Sequence, residues 1–204
     1  MDVRRHGIWL AGAVFALTML QLAVATAVPD LPQFAGKGFA ARLFAYPVMM
    51  LVVPGLWWLL AGRRGAGRVG ERLRRAPWIA FAWIMLPFLV DVTGNTLDLY
   101  DSIGWWDDAN HLVNWFFLSL GAGLLLRGGA SGRPWELLVM IGGLGAVMAI
   151  GWEIGEYFAF IRGGTELDTA YQDTLGDLTL GTLGAVAAGA VVARGAVRRP
   201  RQAQ

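Results

Sequence analysis

The chain has no cysteine, which excludes disulfides, zinc–thiolate and iron–sulfur sites, and any thiol nucleophile. Whatever chemistry it performs must use oxygen and imidazole. Charge is scarce too: Asp, Glu, Lys and Arg make up 16% of the 204 residues, against roughly 25% in soluble domains. Hydrophobic residues supply 56% of the chain, and the mean hydropathy is +0.50. This is the composition of a membrane protein. A net charge of +2 and a pI near 9.4 do not mark a nucleic-acid binder, because the arginines sit in short clusters between apolar runs rather than along one face.

A spanning helix needs about 20 mostly apolar residues, and on that ruler the chain divides into six spans. They cover about residues 8–28, 39–61, 78–94, 107–126, 135–161 and 174–193. No segment is left to build a soluble domain, and no internal repeat or low-complexity tract is visible. The expected architecture is one all-α, polytopic membrane domain over residues 1–204. Arg4, Arg5, the first apolar run and Ala25-Thr26-Ala27 imitate a secretory signal. The run is about 20 residues, longer than the roughly 7–15 of a signal core, and reads as a retained helix.

Counted by alternate loops, fourteen basic residues fall on one side: Arg4, Arg5, Arg63, Arg64, Arg68, Arg72, Arg74, Arg75, Arg127, Arg133, Arg194, Arg198, Arg199 and Arg201. Lys37, Arg42 and Arg162 fall on the other. The positive-inside rule therefore puts both termini in the cytoplasm, as in a multi-pass protein of the bacterial inner membrane. Only Asp2, Glu71 and Glu136 of the fifteen acids lie on the basic side, so the outer rim is where chemistry is expected. Gly181, Ala185 and Gly189 on the sixth span, and Gly151 with Gly155 on the fifth, read as small-residue packing stripes. Trp57, Trp58, Trp78, Trp105, Trp106 and Trp135 read as interfacial belts.

Three spans are too short unless they include acids. The apolar stretches, Trp78 to Val90, Leu112 to Leu126 (broken only by Asn114 and Ser119) and Leu178 to Ala193, reach about 20 residues only by drawing in Asp91, then Asp107 with His111, then Asp173 with Asp177. Glu153 and Glu156 lie about 27 and 32 Å along the fifth helix from Trp135. Seven ionisable groups thus share one depth. Asp107 and His111, Glu153 and Glu156, and Asp173 and Asp177 are spaced three or four residues apart, so each pair points off one helix face and can grip an ion. Hydrocarbon requires that the acids be partly protonated or neutralised by cations. Asp107, Asp108 and Asp173 could also act as helix N-caps. Asp91, Glu153 and Glu156 stand toward helix C-termini, where a cap explains nothing. Asn95, Asn110, Asn114, Tyr100, Tyr157 and Gln172 could support these groups by hydrogen bonds. Asp98, Asp101, Glu166 and Asp168 read as solvated loop charges.

The strings Asp107-Asp108-Ala109-Asn110-His111, Trp152-Glu153-Ile154-Gly155-Glu156-Tyr157 and Asp173-Thr174-Leu175-Gly176-Asp177, the last followed by Gly181-Thr182-Leu183-Gly184-Ala185, resemble the YjdF-type family of uncharacterised bacterial inner-membrane proteins. The resemblance covers Asp91 to Ala185 and implies polar site positions at Asp107, His111, Glu153, Glu156, Asp173 and Asp177. Two departures are visible. Gly94-Asn95 stands where members carry Gly-His, and Gln172 stands where a tryptophan is frequent. There is a looser similarity in motif logic to VanZ-like membrane proteins, an analogy of pattern only.

Two active functions compete. The first is a metal-dependent hydrolase or transferase acting on a lipid head group or another amphiphile, with Glu153, Glu156, Asp173, Asp177, His111 and Asp91 as ligands to Mg, Mn, Fe or Zn. There His111, oriented by Asp107, acts as ligand or general acid/base, and metal-activated water is a better nucleophile than any side chain. The second is an ion- or proton-coupled transporter. A path must cross, and the inner halves of the spans hold no Asp, Glu, His or Lys away from their ends. A third, non-catalytic reading makes the acids a structural network. The expected partner is the bilayer, with no nucleic acid.

Overall fold

The computed structural model describes residues 3–63, 68–127, 133–162, 167 and 169–197. Arg64, Arg198, Arg199 and Arg201 of the charge count, and Asp2, Glu166 and Asp168 among the acids, lie outside them. Most of the described residues are helical, and none of them is in a strand. Six helices are long and apolar enough to cross a membrane, and the chain divides into two compact units, residues 1–104 and 105–204.

The first unit contains α1 (Val3–Ala27), a 3-10 turn at Pro32–Phe34, α2 (Phe39–Arg63), α3 (Val69–Arg75), α4 (Trp78–Thr96) and α5 (Leu99–Ser102). Ala11, Val14, Thr18, Leu22 and Ala25 are buried at steps of three and four along α1, which is one helix face, and that face packs on α4. The two helices run parallel. A Cβ on Gly7 would meet Trp78 Cβ and Ile79 N at 2.9 and 3.0 Å, while at the far end Gln21 Nε2 donates to Thr93 Oγ1 at 3.1 Å and Thr96 Oγ1 donates to Gln21 Oε1 at 3.0 Å. Amide and hydroxyls satisfy one another across the two helices.

Two short helices occupy stretches that composition alone reads as loop. In α3, Arg75 pairs with Glu71 at 2.6 Å one turn away, and Arg72 lies 5.4 Å from the centroid of the Trp58 ring. These are local pairings that hydropathy does not register.

The second unit contains α6 (Trp106–Leu126), α7 (Pro134–Glu156), a π-helical turn at Tyr157–Ile161 and α8 (Ala170–Val197). Its interior is three facing stripes. On α7, Leu137, Ile141, Gly145, Ala149 and Glu153 are buried at every fourth position; on α6, His111, Trp115, Ser119 and Gly123 are, and on α8, Asp177, Gly181, Ala185, Ala188 and Val192. The stripes meet in layers. A Cβ on Gly181 would press on the Trp115 indole, one on Gly145 would strike Ala185 and Ser119, and one on Gly123 would strike Ile141 and Val192. One on Gly184 would run into the Leu112 carbonyl oxygen. Here α6 and α8 are parallel and α7 antiparallel to them, held by close backbone approach as membrane helices require.

Glycine packing on the last span follows the expected stripe: Gly181 faces Trp115, and Gly189 faces the Leu138 carbonyl. On the fifth span it does not. A Cβ on Gly151 or Gly155 would meet nothing within 4 Å, and both residues are exposed; the inward glycines are Gly142 and Gly145. The reason is phase, since Glu153 points inward and its face recurs at 149, 145 and 141.

Candidate functional site

In the second unit the uppermost layer is polar. His111 lies on the first turns of α6, Glu153 on the last turn of α7 and Asp177 on the second turn of α8, so parallel and antiparallel runs bring three termini to one level. Glu153 and Asp177 are 6% and 4% exposed, and His111 is 9%. His111 Nε2 lies 3.5 Å from Asp177 Oδ1 and 3.8 Å from Asp107 Oδ1. Its Nδ1 lies 3.8 Å from Glu153 Oε1. Glu153 Oε1 is buried and has no hydrogen-bond partner.

Two groups of potential ligands overlap at the imidazole. The ligating atoms of Asp107, His111 and Asp177 all lie within 4.8 Å of one another, as do those of His111, Glu153 and Glu156. Two ligands held about 2.0–2.2 Å from one ion and spread tetrahedrally or a little wider stand about 3.3–3.8 Å apart. The His111 separations have that length. They exceed ordinary hydrogen bonds and are compatible with an ion held between the atoms. A carboxylate oxygen buried without a donor is costly, and either a cation or a nearby N–H donor would satisfy Glu153.

The remaining sequence-selected residues are distributed as follows. Asp173 is exposed, one turn ahead of Asp177 on α8, and belongs to neither ligand group. Asp107 and Asp108 lie in the first turn of α6, whose N-cap is Trp105 without a side-chain cap; they complement the helix dipole but are not caps. Asn110 donates to Trp106 O at 2.9 Å and accepts from Asn114 at 3.1 Å, bracing the α6 turn that carries His111. Tyr157 and Gln172 are exposed. Trp105, Trp152, Phe158 and Tyr171 stand exposed at the same helix ends as the acids, the depth at which interfacial aromatics sit. Arg162 lies 5.8 Å from the Phe158 ring centroid.

Asp91 belongs to the first unit, with its own set of donors. Tyr46 Oη donates to Oδ2 at 2.5 Å, Tyr100 Oη and Asn95 Nδ2 donate to Oδ1 at 3.0 and 3.1 Å, and Arg42 Nε is 3.6 Å away. Asn95 and Tyr100 thus serve Asp91. The partners Arg42 and Tyr46 were the part missed in the sequence, although an Arg and a Tyr four apart at the start of an apolar span are a readable polar face.

Next to it, Lys37 Nζ lies 2.5 Å from Asp98 and 2.7 Å from Asp101, and Arg42 hydrogen-bonds the Lys37 carbonyl. Asp98 and Asp101, which read as solvated charges, are therefore ion-paired. The hydrogen bond from Lys37 holds the Asp101 carboxyl below its ordinary value. Burial works against the Lys37 charge, but hydrogen bonds to Asp101 and Asp98 outweigh it and hold the ammonium above the ordinary lysine range. A depressed carboxyl favours the fold above its unfolded pKa, and that contribution disappears as pH falls through the lower, folded value. The Asp101 carboxyl carbon should titrate below 3.8 by NMR and return toward that value in Lys37→Gln. An unchanged midpoint would show that the pair does not set it.

No curated protein and no solved structure matches the chain. A family model described as "Predicted membrane protein (DUF2238)" matches residues 11–198, from within α1 to the end of α8. Six spanning helices, the linked acid and histidine motifs, and a match over nearly the full length lead to one assignment: the chain belongs to the DUF2238 family of predicted membrane proteins, which is the YjdF-type family.

Proposed function

We propose that the protein is a metal-dependent membrane hydrolase or transferase whose site takes a divalent cation, drawing its ligands from Asp107, His111, Glu153, Glu156, Asp173 and Asp177. The observation that carries this reading is a histidine ringed at 3.5–3.8 Å by three carboxylates, two of them more than nine-tenths buried. Intramembrane acids are expensive and mark function by default. An oxygen-rich set with one imidazole suits Mg, Mn or Fe and accepts Zn. A bound divalent cation supplies Lewis acidity, which polarises an ester and activates water. His111 then serves as ligand or proton carrier, with Asp107 at its Nε2 side. The exposed aromatic side chains at the same helix ends support an amphiphilic substrate such as a lipid head group, presented at the boundary of the bilayer. The basic loops support an inner-membrane location with both termini cytoplasmic and the site on the opposite face.

Transport is the weaker reading, because a carrier needs polar groups along its path. Below the acids, α6 from Leu112, α7 from Trp152 back to Leu137, and α8 from Leu178 to Ala193 contain no Asp, Glu, His or Lys. Trp115 seats on Gly181 one turn beneath His111 and Asp177.

The test is metal content. Detergent-purified protein reconstituted with Mn²⁺ should retain roughly one equivalent per chain, and the Asp107→Asn plus Asp177→Asn variant should retain almost none. A wild type that is equally stable and binds no divalent cation would overturn the reading. Flux in proteoliposomes that requires the same carboxylates would establish transport instead.

A further inference from the structure

The two nitrogens of His111 face different surroundings. A neutral imidazole has one lone pair and one N–H, so only one nitrogen can ligate while the other donates. On the Nε2 side, carboxylates from two helices converge, Asp107 from the start of α6 and Asp177 from α8. The Asp107 side chain there is 46% exposed, which leaves a coordination position open to water or substrate. On the Nδ1 side stands Glu153 Oε1, buried, without a hydrogen-bond partner and 3.8 Å away. That is within about 1 Å of hydrogen-bond length. Ligating histidines almost always donate their second N–H to a carboxylate or carbonyl, which fixes tautomer and ring orientation.

We propose that the cation sits on the Nε2 side, held by Asp107, His111 and Asp177, and that Glu153 is a positioning residue that accepts the His111 Nδ1 proton. This assignment rests on the cation reading above and refines it. The depth of the groups agrees with the division of labour. The ligand set contains the one member that reaches solvent, whereas the orienting acid is enclosed at the end of the α7 stripe. Glu156, one turn beyond Glu153 and half-buried, shares the Glu153 group and is not required as a ligand.

The experiment is Mn²⁺ binding by the full chain in detergent, read by EPR for affinity and by ¹⁴N electron spin-echo modulation for imidazole coordination, with melting curves for each variant. Asp177→Asn should weaken binding by about 100-fold or more. Glu153→Ala should weaken it by roughly 10–100-fold yet keep the imidazole ¹⁴N modulation. Glu153→Gln, whose amide oxygen still accepts the proton, should remain within about 10-fold of wild type. If Glu153→Gln, folded and with an unchanged melting point, loses Mn²⁺ as completely as Asp177→Asn, Glu153 is itself a ligand and the assignment falls while the cation reading stands. The same follows if wild-type protein binds Mn²⁺ without ¹⁴N modulation. Wild type that binds no Mn²⁺ removes the cation reading and this assignment together.

Discussion

Gly184→Val is expected to destabilise the protein by about 3 kcal/mol or more and to abolish Mn²⁺ binding with it. A Cβ at this position overlaps the Leu112 carbonyl oxygen and lies 3.0 Å from Phe116 N. Both are backbone atoms of α6, so no side chain can swing aside and the two parallel helices must separate. Separation is costly because membrane helices associate through close packing rather than through a hydrophobic driving force. It also moves Asp177, on α8, away from His111, on α6. Gly151→Ala and Gly155→Ala are the controls, since nothing lies within 4 Å of their Cβ positions. They should leave melting temperature unchanged or slightly raised, as alanine is the better helix former by up to about 1 kcal/mol. Differential scanning fluorimetry of the three variants decides the matter. A Gly184→Val protein as stable as wild type would mean that α6 and α8 do not pack at this distance.

Asp91→Ala should cost about 3 kcal/mol, the lower end of the range for removing one partner of a buried ion pair, because both side chains are about one-fifth exposed. The loss comes from the groups that remain. Arg42 loses the carboxylate opposite it, and the Tyr46 and Tyr100 hydroxyls and the Asn95 amide lose an acceptor. Replacing Asp91 with Leu and Arg42 with Met together should recover much of the stability, since apolar pairs often substitute well for buried ionic ones. Mn²⁺ affinity separates this role from ligation. It should be unchanged in Asp91→Asn and depressed in Asp177→Asn; equal losses would make Asp91 a ligand.

How much of this is legible in the sequence depends on the range of the interaction concerned. The six spans are readable because hydropathy is summed locally, and their lengths force the acids to the helix ends. Pairs such as Asp107 with His111 are readable because helical spacing is local too. The convergence of His111, Glu153 and Asp177 depends on which way α7 is turned. That phase is present in the chain as the series 137, 141, 145, 149, 153, yet Gly151 and Gly155 make an equally good small-residue pattern on the opposite face. Only packing distinguishes them. Asp91 shows a different limit. Its place near the end of an apolar span reads like that of the other acids, but such a reading carries no information about partners, and the pairing with Arg42 joins residues 49 positions apart in sequence.

The indole of Trp115, set against Gly181 one turn beneath the histidine, has an energetic corollary for the cell. The polar layer above this indole lies at the ends of α6, α7 and α8, so a cation bound there, as proposed, would sit where little of the transmembrane voltage falls across it. Moving an elementary charge through the whole voltage costs about 2.3 kcal/mol per 100 mV. On the proposed reading, a cation could enter and leave such a site without being carried through the full membrane voltage.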